Sequence, residues 1–266
     1  MSYLPVIPAG GNLGWVFLKK TREDQQAAFD ESTSIKTNAD YFKQKIASIQ
    51  SAEELVADRR LLSVALGAFG LDDDINNSFF IQKVLQEGTL DEESFANRLS
   101  DQRYFAMSEA FGFHLQPPNT VLSDFSEGII EQYQERQFEI AIGDQDEDLR
   151  LALSVEREIA DLSSKALSED TSWFTIMGNP PLRRVFENAL GLPSELAAID
   201  LDQQLNEFKE KAQTVFGTTD PAEFIDPGLQ ESLVRSFLFR SELEANASQY
   251  SSGTVALSLL QSLQTS

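Results

Sequence analysis

The sequence contains no cysteine. Disulfides, thiolate metal ligands and thiol nucleophiles are therefore excluded, and sulfur chemistry says nothing about compartment. There is a single histidine, His114, so a multi-histidine metal centre cannot be assembled. Basic residues are scarce: 21 Lys and Arg stand against 43 Asp and Glu, for a net charge of −22. Nucleic-acid affinity comes largely from cations that neutralise phosphates, and an anionic bilayer repels the same carboxylates, so neither partner is expected. No run approaches the ~18–20 apolar residues of a membrane span, and membrane insertion is not expected either. The opening MSYLPVIPAGGNLGWVFLKK has no basic residue ahead of its apolar part and is broken by Pro5, Pro8, Gly10 and Gly11. It does not read as a secretory signal, which leaves a cytoplasmic protein as the expectation. Tryptophan and tyrosine are also few, 2 and 5 against 19 phenylalanines. That balance favours rings used for packing over rings used to stack on sugars or bases.

What is present is helical punctuation. Leu55, Leu62, Leu66 and Phe69 fall at helical intervals, as do Ile129, Tyr133 and Ile140, and Leu149, Leu153 and Ile159. Leu229, Leu233, Val234, Phe237 and Leu238 trace the stripe of a helix with one buried face. Ser51-Ala52-Glu53-Glu54 and Thr89-Leu90-Asp91-Glu92 read as capping boxes. Asp220-Pro221, Asp226-Pro227 and Asn179-Pro180 each place an acceptor before a proline at the first helical position, where its missing N–H does no harm. No alternating strand pattern stands out.

One short phrase recurs: AFGL at 68–71, AFGF at 110–113, ALGL at 189–192 and VFGT at 215–218. The glycine belongs where a helix turns left-handed to release its last carbonyls, a conformation costly for any residue with a Cβ. The apolar residue after it folds back on the last turn, and Thr218 makes the fourth copy the weaker one. The first and third copies share a longer frame, L-x-x-V-x-x-x-A-[FL]-G-L, from Leu61 and from Leu182. The copies fall in two clusters, separated by the proline turn HLQPPNT at 114–120 and a long helical region that the acidic GDQDED at 143–148 interrupts. The expected fold is all-α and multi-helical: two helical halves with repeated Gly-capped helices, joined by a long antiparallel helix pair. In domain terms that is an N-terminal half over 1–122, and the connecting pair with a C-terminal half over 123–266, with one continuous domain as the alternative.

The stretches DYFKQKIASIQSAEELVADRRLLSVALGAFGL, FIQKVL and SFANRLSDQRYFAMSEAFGF, with RQFEIAIGDQDEDLRLAL and WFTIMGNPPLRRVFENALGL, carry a resemblance across most of residues 40–192. They are similar to an uncharacterised alphaproteobacterial domain family commonly encoded among flagellar genes. The resemblance implies association with flagellar assembly or structure, and export to the flagellum without a cleaved signal as the alternative to a cytoplasmic location. It brings no catalytic residue and no ligand.

Candidate sites have bland competitors. Asp72–Asp74 and Asp144, Asp146 and Asp148 have cation-like spacing, yet as calcium loops both lack the glycine at the sixth place and the glutamate at the twelfth. Acidic turns that cap the next helix explain them better. His114 lacks a glycine-flanked serine to activate, and is expected to meet free carbonyls at a helix end. Arg59-Arg60 and Arg183-Arg184 suit ion pairing with neighbouring carboxylates better than anion binding. Trp173-Phe174 with Gly178-Asn179-Pro180-Pro181 suits a core anchor better than a peptide groove. The C-terminal SGTVALSLLQSLQ is uncharged and sets Ala256, Leu259, Leu260 and Leu263 on one helical face. It is the candidate partner-binding helix, with docking on the protein's own body as the equal alternative.

The expected function is non-enzymatic: a structural or assembly protein of the bacterial flagellar system, working through protein–protein contacts and needing no metal or cofactor. A small-molecule or peptide-binding regulatory module is the alternative, and a carboxylate-based hydrolase a weaker one.

Overall fold

The computed structural model describes residues 3–99 and 101–249. Among them thirteen α-helices and five short 3-10 turns account for all the regular structure, and no β-strand occurs. The all-α expectation therefore holds for the described residues. None of their helices is long and apolar enough to cross a membrane.

The chain divides into two units, one of Met1–Val6 with Lys20–Ile142 and one of Ile7–Lys19 with Gly143–Ser266. Helix α1 (Gly11–Asp30) contributes its first turns to the second unit and its remainder to the first. The first unit continues with α2 (Thr33–Lys45), α3 (Ala52–Ala57), α4 (Arg59–Phe69), α5 (Ser78–Glu87), α6 (Phe95–Arg98), α7 (Gln102–Phe111) and α8 (Phe125–Gly143). The second unit contains α9 (Glu147–Ser164), α10 (Glu169–Met177), α11 (Pro180–Leu190), α12 (Leu201–Phe216) and α13 (Pro227–Gln249).

The recurring glycines close helices. Gly70, Gly112, Gly191 and Gly217 terminate α4, α7, α11 and α12 with φ of 67°, 58°, 67° and 80°. Two kinds of closure are used. After α4, Leu71 N donates to Leu66 O (2.9 Å) and Gly70 N to Gly67 O (3.2 Å); after α11, Leu192 N donates to Glu187 O (2.9 Å) and Gly191 N to Asn188 O (3.0 Å). These are paired-bond closures with an apolar residue folded back. Gly112 and Gly217 make the single bond of the simpler form, to Ser108 O (3.0 Å) and Gln213 O (3.1 Å). The second copy thus groups with the fourth and not with the first, because Phe113 turns to stack on Phe111 at 5.6 Å instead of folding back by its amide.

Each unit therefore runs through one plan: a paired-bond glycine stop and a 3-10 turn, then a single-bond stop, a second 3-10 turn and a long final helix. In the first unit these are Gly70, Asp72–Asn76, Gly112, Asn119–Val121 and α8. In the second they are Gly191, Ser194–Ala198, Gly217, Pro221–Ile225 and α13. Between its two stops the first unit has three helices and the second has one, α12, so the duplication is masked in the sequence by unequal spacing.

Caps set the other boundaries. Asp146 starts α9 by accepting from Leu149 N (3.0 Å), Asn179 starts α11 through Leu182 N (3.2 Å), and Asp226 starts α13 through Gly228 N and Leu229 N (2.9 and 3.0 Å). Ser51 caps α3 through Glu54 N (3.2 Å), while the Glu54 carboxylate reaches back to Gln50 N (2.7 Å). Thr89–Glu92 does not begin a helix, contrary to expectation. Asp91 instead accepts from Glu93 N, and the Asn97 amide bridges Thr89 O and Asp91 O, holding a turn that delivers α6 later.

Each unit buries its own rings. In the first, Phe111 is fully buried, meeting Phe125 edge-on at 5.1 Å and Phe69 at 6.4 Å. In the second, Trp173, Phe186, Phe208 and Phe224 form a chain of ring contacts at 5.2–5.5 Å, and Trp173 Nε1 donates to Thr219 O (2.7 Å). Burial of that order, with its one polar atom satisfied, is the working of a core and not of a peptide groove.

Candidate functional site

Four of the acidic candidates have structural partners. Asp72 Oδ1 accepts from Gln137 (2.8 Å), and Asp74 accepts from Asn77 (2.6 Å) and from the Tyr104 hydroxyl (2.5 Å). Burial and that carboxylate push the Tyr104 phenol well above its ordinary value. Asp146 is an N-cap, and Asp148 binds Arg184 (2.7 Å), although burial raises its pKa. Among the described residues no three His, Asp or Glu side chains converge on a point where a metal ion could sit.

His114 does not meet helix-end carbonyls. Its ring packs on Gly88, where a Cβ would stand 2.3 Å from Nδ1, and that nitrogen is buried with no hydrogen-bond partner among the described residues. Arg183 and Arg184 pair with carboxylates as expected, on Glu187 (2.6 Å) and Asp148 (2.7 Å). Arg59 and Arg60 do not. Arg59 donates to the Asn76 amide oxygen (3.2 Å), while Arg60 donates to Asn38 (3.0 Å) and lies 4.7 Å above the Tyr41 ring.

Two grooves stand out among the described residues, one in each unit. The first, about 400 Å³, lies between α2 and α8, lined by Lys36, Asp40, Lys43, Glu127, Ile130 and their neighbours. Its cations are already engaged: Lys36 with Glu31 (2.5 Å) and Lys43 with Glu127 (2.9 Å). The second is apolar. It measures about 470 Å³ and is lined by Asn12, Leu13, Val16, Arg235, Ser236 and Phe239, where the first turns of α1 lie along α13.

That second groove is built by features of the N-terminal segment that sequence reading took for a broken stretch. Gly14 packs so closely on the preceding loop that a Cβ would stand 2.0 Å from Ala9 O. The α1 turn that follows buries Trp15 and Leu18. Trp15 Nε1 (3.2 Å), Lys19 Nζ (2.8 Å) and Arg235 Nε (2.6 Å) all donate to the Glu231 carboxylate of α13. Burial pushes that carboxyl up, but the three donors outweigh it and hold it down to about 2. Asn12 Nδ2 adds a bond to Arg235 O (3.3 Å). With the polar groups so engaged on one side, Leu13, Val16, Phe239 and, one turn further along α13, Leu243 are left on the surface. The signal was present as Gly10-Gly11-x-x-Gly14 ahead of Trp15 and Leu18. The expected partner-binding residues Ala256, Leu259, Leu260 and Leu263 lie outside the described residues.

The described residues define the class: an all-α protein of two units with recurring glycine-stopped helices. Residues 68–227 match the family described as "Protein of unknown function (DUF1217)". The chain belongs to that family. It is also similar in fold to the crystal structure of an Agrobacterium tumefaciens protein, with a TM-score of 0.68 and 23% identity over 91% of this chain and 99% of that one. No curated protein matches the chain significantly.

Proposed function

We propose that the protein is a non-enzymatic structural or assembly component of the bacterial flagellar system, acting through protein–protein contacts. The observation that carries this reading is the contrast between the two grooves. The polar one has both of its lysines already paired with carboxylates, whereas the apolar one leaves Leu13 and Phe239 on the surface. A surface of that kind serves docking, since burial of apolar area drives association without a need for reactive groups. The flagellar setting comes from the resemblance of residues 40–192 to a family encoded among flagellar genes. The contact is assigned to the uncharged stripe Ala256, Leu259, Leu260 and Leu263, which in a chain of net charge −22 offers a partner no repulsion.

The test is affinity capture from flagellated cells that make the protein with and without residues 251–266, read by mass spectrometry. A flagellar component recovered with the full chain and lost with the shortened one supports the proposal. Equal recovery from both, or no flagellar component from either, refutes it.

A further inference from the structure

We infer that a second copy of this chain occupies the apolar groove between α1 and α13, the two copies pairing α13 against α13 antiparallel about a two-fold axis beside Phe239. The inference goes beyond the flagellar proposal and does not rest on it.

Helix α13 carries apolar residues on opposite sides. Leu233, Val234, Phe237 and Leu238 are buried in its own unit. On the other side Phe239 is 56% exposed and Leu243 52%, and across the groove Leu13 of α1 is 78% exposed and Val16 40%. Large apolar side chains gathered on one face, unlike those scattered singly, mark a contact surface. Together these four present on the order of 400 Å². A standard interface takes about 800 Å² from each partner, a little over half of it apolar. The patch therefore supplies most of the apolar share that a stable dimer needs.

Charge selects the occupant. Across Gly11–Lys19 and Glu231–Leu243 the charged residues are Lys19, Arg235 and Arg240 against Glu231 and Glu242, so the −22 of the chain is carried elsewhere. At 0.15 M salt, charges more than ~8 Å away are largely screened, and two copies meet on this face with little of that repulsion. The face is also complementary to itself. Arg235 and Glu242 are both exposed and lie seven residues apart, two turns along one side of α13. The Arg235 Nε holds Glu231 (2.6 Å), and the Glu242 carboxylate lies against Gly11 at the N-terminal end of α1. An antiparallel copy reverses their order, so Arg235 of each comes opposite Glu242 of the other, one such pair at each end of the Phe239 contact. That self-complementarity is what a two-fold interface requires. Because α1 runs antiparallel to α13, with Asn12 bonded at Arg235 and Lys19 at Glu231, the dimer gathers four helices around Leu13, Val16, Phe239 and Leu243.

The test is sedimentation equilibrium of the purified full chain in 0.15 M salt, at about 1–100 μM. The native chain should dimerise in that range. Phe239→Asp, and separately Leu13→Asp on the other wall of the groove, should weaken dimerisation at least tenfold with the helical circular dichroism unchanged, since both side chains are exposed. Charge exchange tests the pairing itself. Arg235→Glu and Glu242→Arg should each weaken self-association at least tenfold, because each sets like charges opposite one another. An equimolar mixture of these two variants should dimerise again, since every pair across the axis is then of opposite sign. A native chain that stays monomeric at ~100 μM overturns the inference and leaves the groove to another occupant. A dimer that Phe239→Asp and Leu13→Asp do not weaken overturns it in favour of another face, and a mixture that stays monomeric overturns the antiparallel pairing. All of this is read on purified protein, so its failure is distinguishable from failure of the capture experiment.

Discussion

Replacing Gly191 and Gly217 one at a time by alanine separates backbone strain from lost contact. Both glycines are left-handed, with φ of 67° and 80°. A Cβ at Gly217 meets nothing within 4 Å, whereas one at Gly191 would stand 2.5 Å from Arg240 Nη1 and 2.9 Å from its Cζ. The left-handed conformation costs a residue with a Cβ about 1–2 kcal/mol. The stiffer unfolded chain returns about 0.4–1 kcal/mol of that. Gly217→Ala should therefore destabilise by about 0.5–1 kcal/mol. Gly191→Ala adds the displacement of a guanidinium from the C-terminal end of α11, about 0.3–1 kcal/mol, for about 1–2 kcal/mol in all. Both tryptophans, Trp15 and Trp173, lie in the second unit with these glycines, so urea unfolding followed by tryptophan fluorescence reports that unit directly. A Gly217 variant as costly as the Gly191 variant, or more stable than the native chain, would refute the assignment of these glycines to strained helix stops.

Other perturbations have equally definite outcomes. The Glu231 carboxyl is depressed from 4.5 to about 2, so its contribution is whole above pH 4.5 and is lost as the pH falls through 2. Glu231→Gln should lower stability at pH 7 by about 1–2 kcal/mol, discounted for solvent screening, with native and variant urea midpoints converging toward pH 2. Asp146→Ala removes the α9 cap and should cost about 1 kcal/mol in the same assay; no loss would mean that another group satisfies Leu149 N. Phe186→Ala deletes the ring between Trp173 and Phe224 and should cost about 3–5 kcal/mol. Calcium titrated calorimetrically into the chain should show no saturable site, and one abolished by Asp74→Asn or Asp144→Asn would overturn the capping role of those turns.

The helical character, the glycine stops and most caps were legible because each is local. Leu66, Gly70 and Leu71 close a helix by bonds that span five residues, and Asp226-Pro227 starts one within three. The duplication was half legible, since Leu61, Val64 and Ala68 matched Leu182, Val185 and Ala189, yet α5 and α6 hide the match of Gly112 with Gly217. Thr89–Glu92 misled because its spacing satisfies a capping box while Asn97, beyond any short motif, ties the segment into a turn. The apolar groove was not legible. Leu13 and Phe239 are 226 positions apart in the numbering of the chain, and what joins their helices is Glu231 with Trp15 and Lys19, a contact no periodicity announces. The arginine pairs show the same limit: both sit at matching helix starts, but only one pair found carboxylates.

The claim that function lies in an apolar contact is met most directly by one comparison. Native chain and the Leu259→Asp, Leu263→Asp double variant are expressed in flagellated cells lacking the endogenous copy, and motility is scored beside circular dichroism and thermal unfolding of the purified proteins. The predicted result is an unchanged helical spectrum, a nearly unchanged thermal midpoint, and lost motility. A double variant that folds and swims as the native chain does would contradict it.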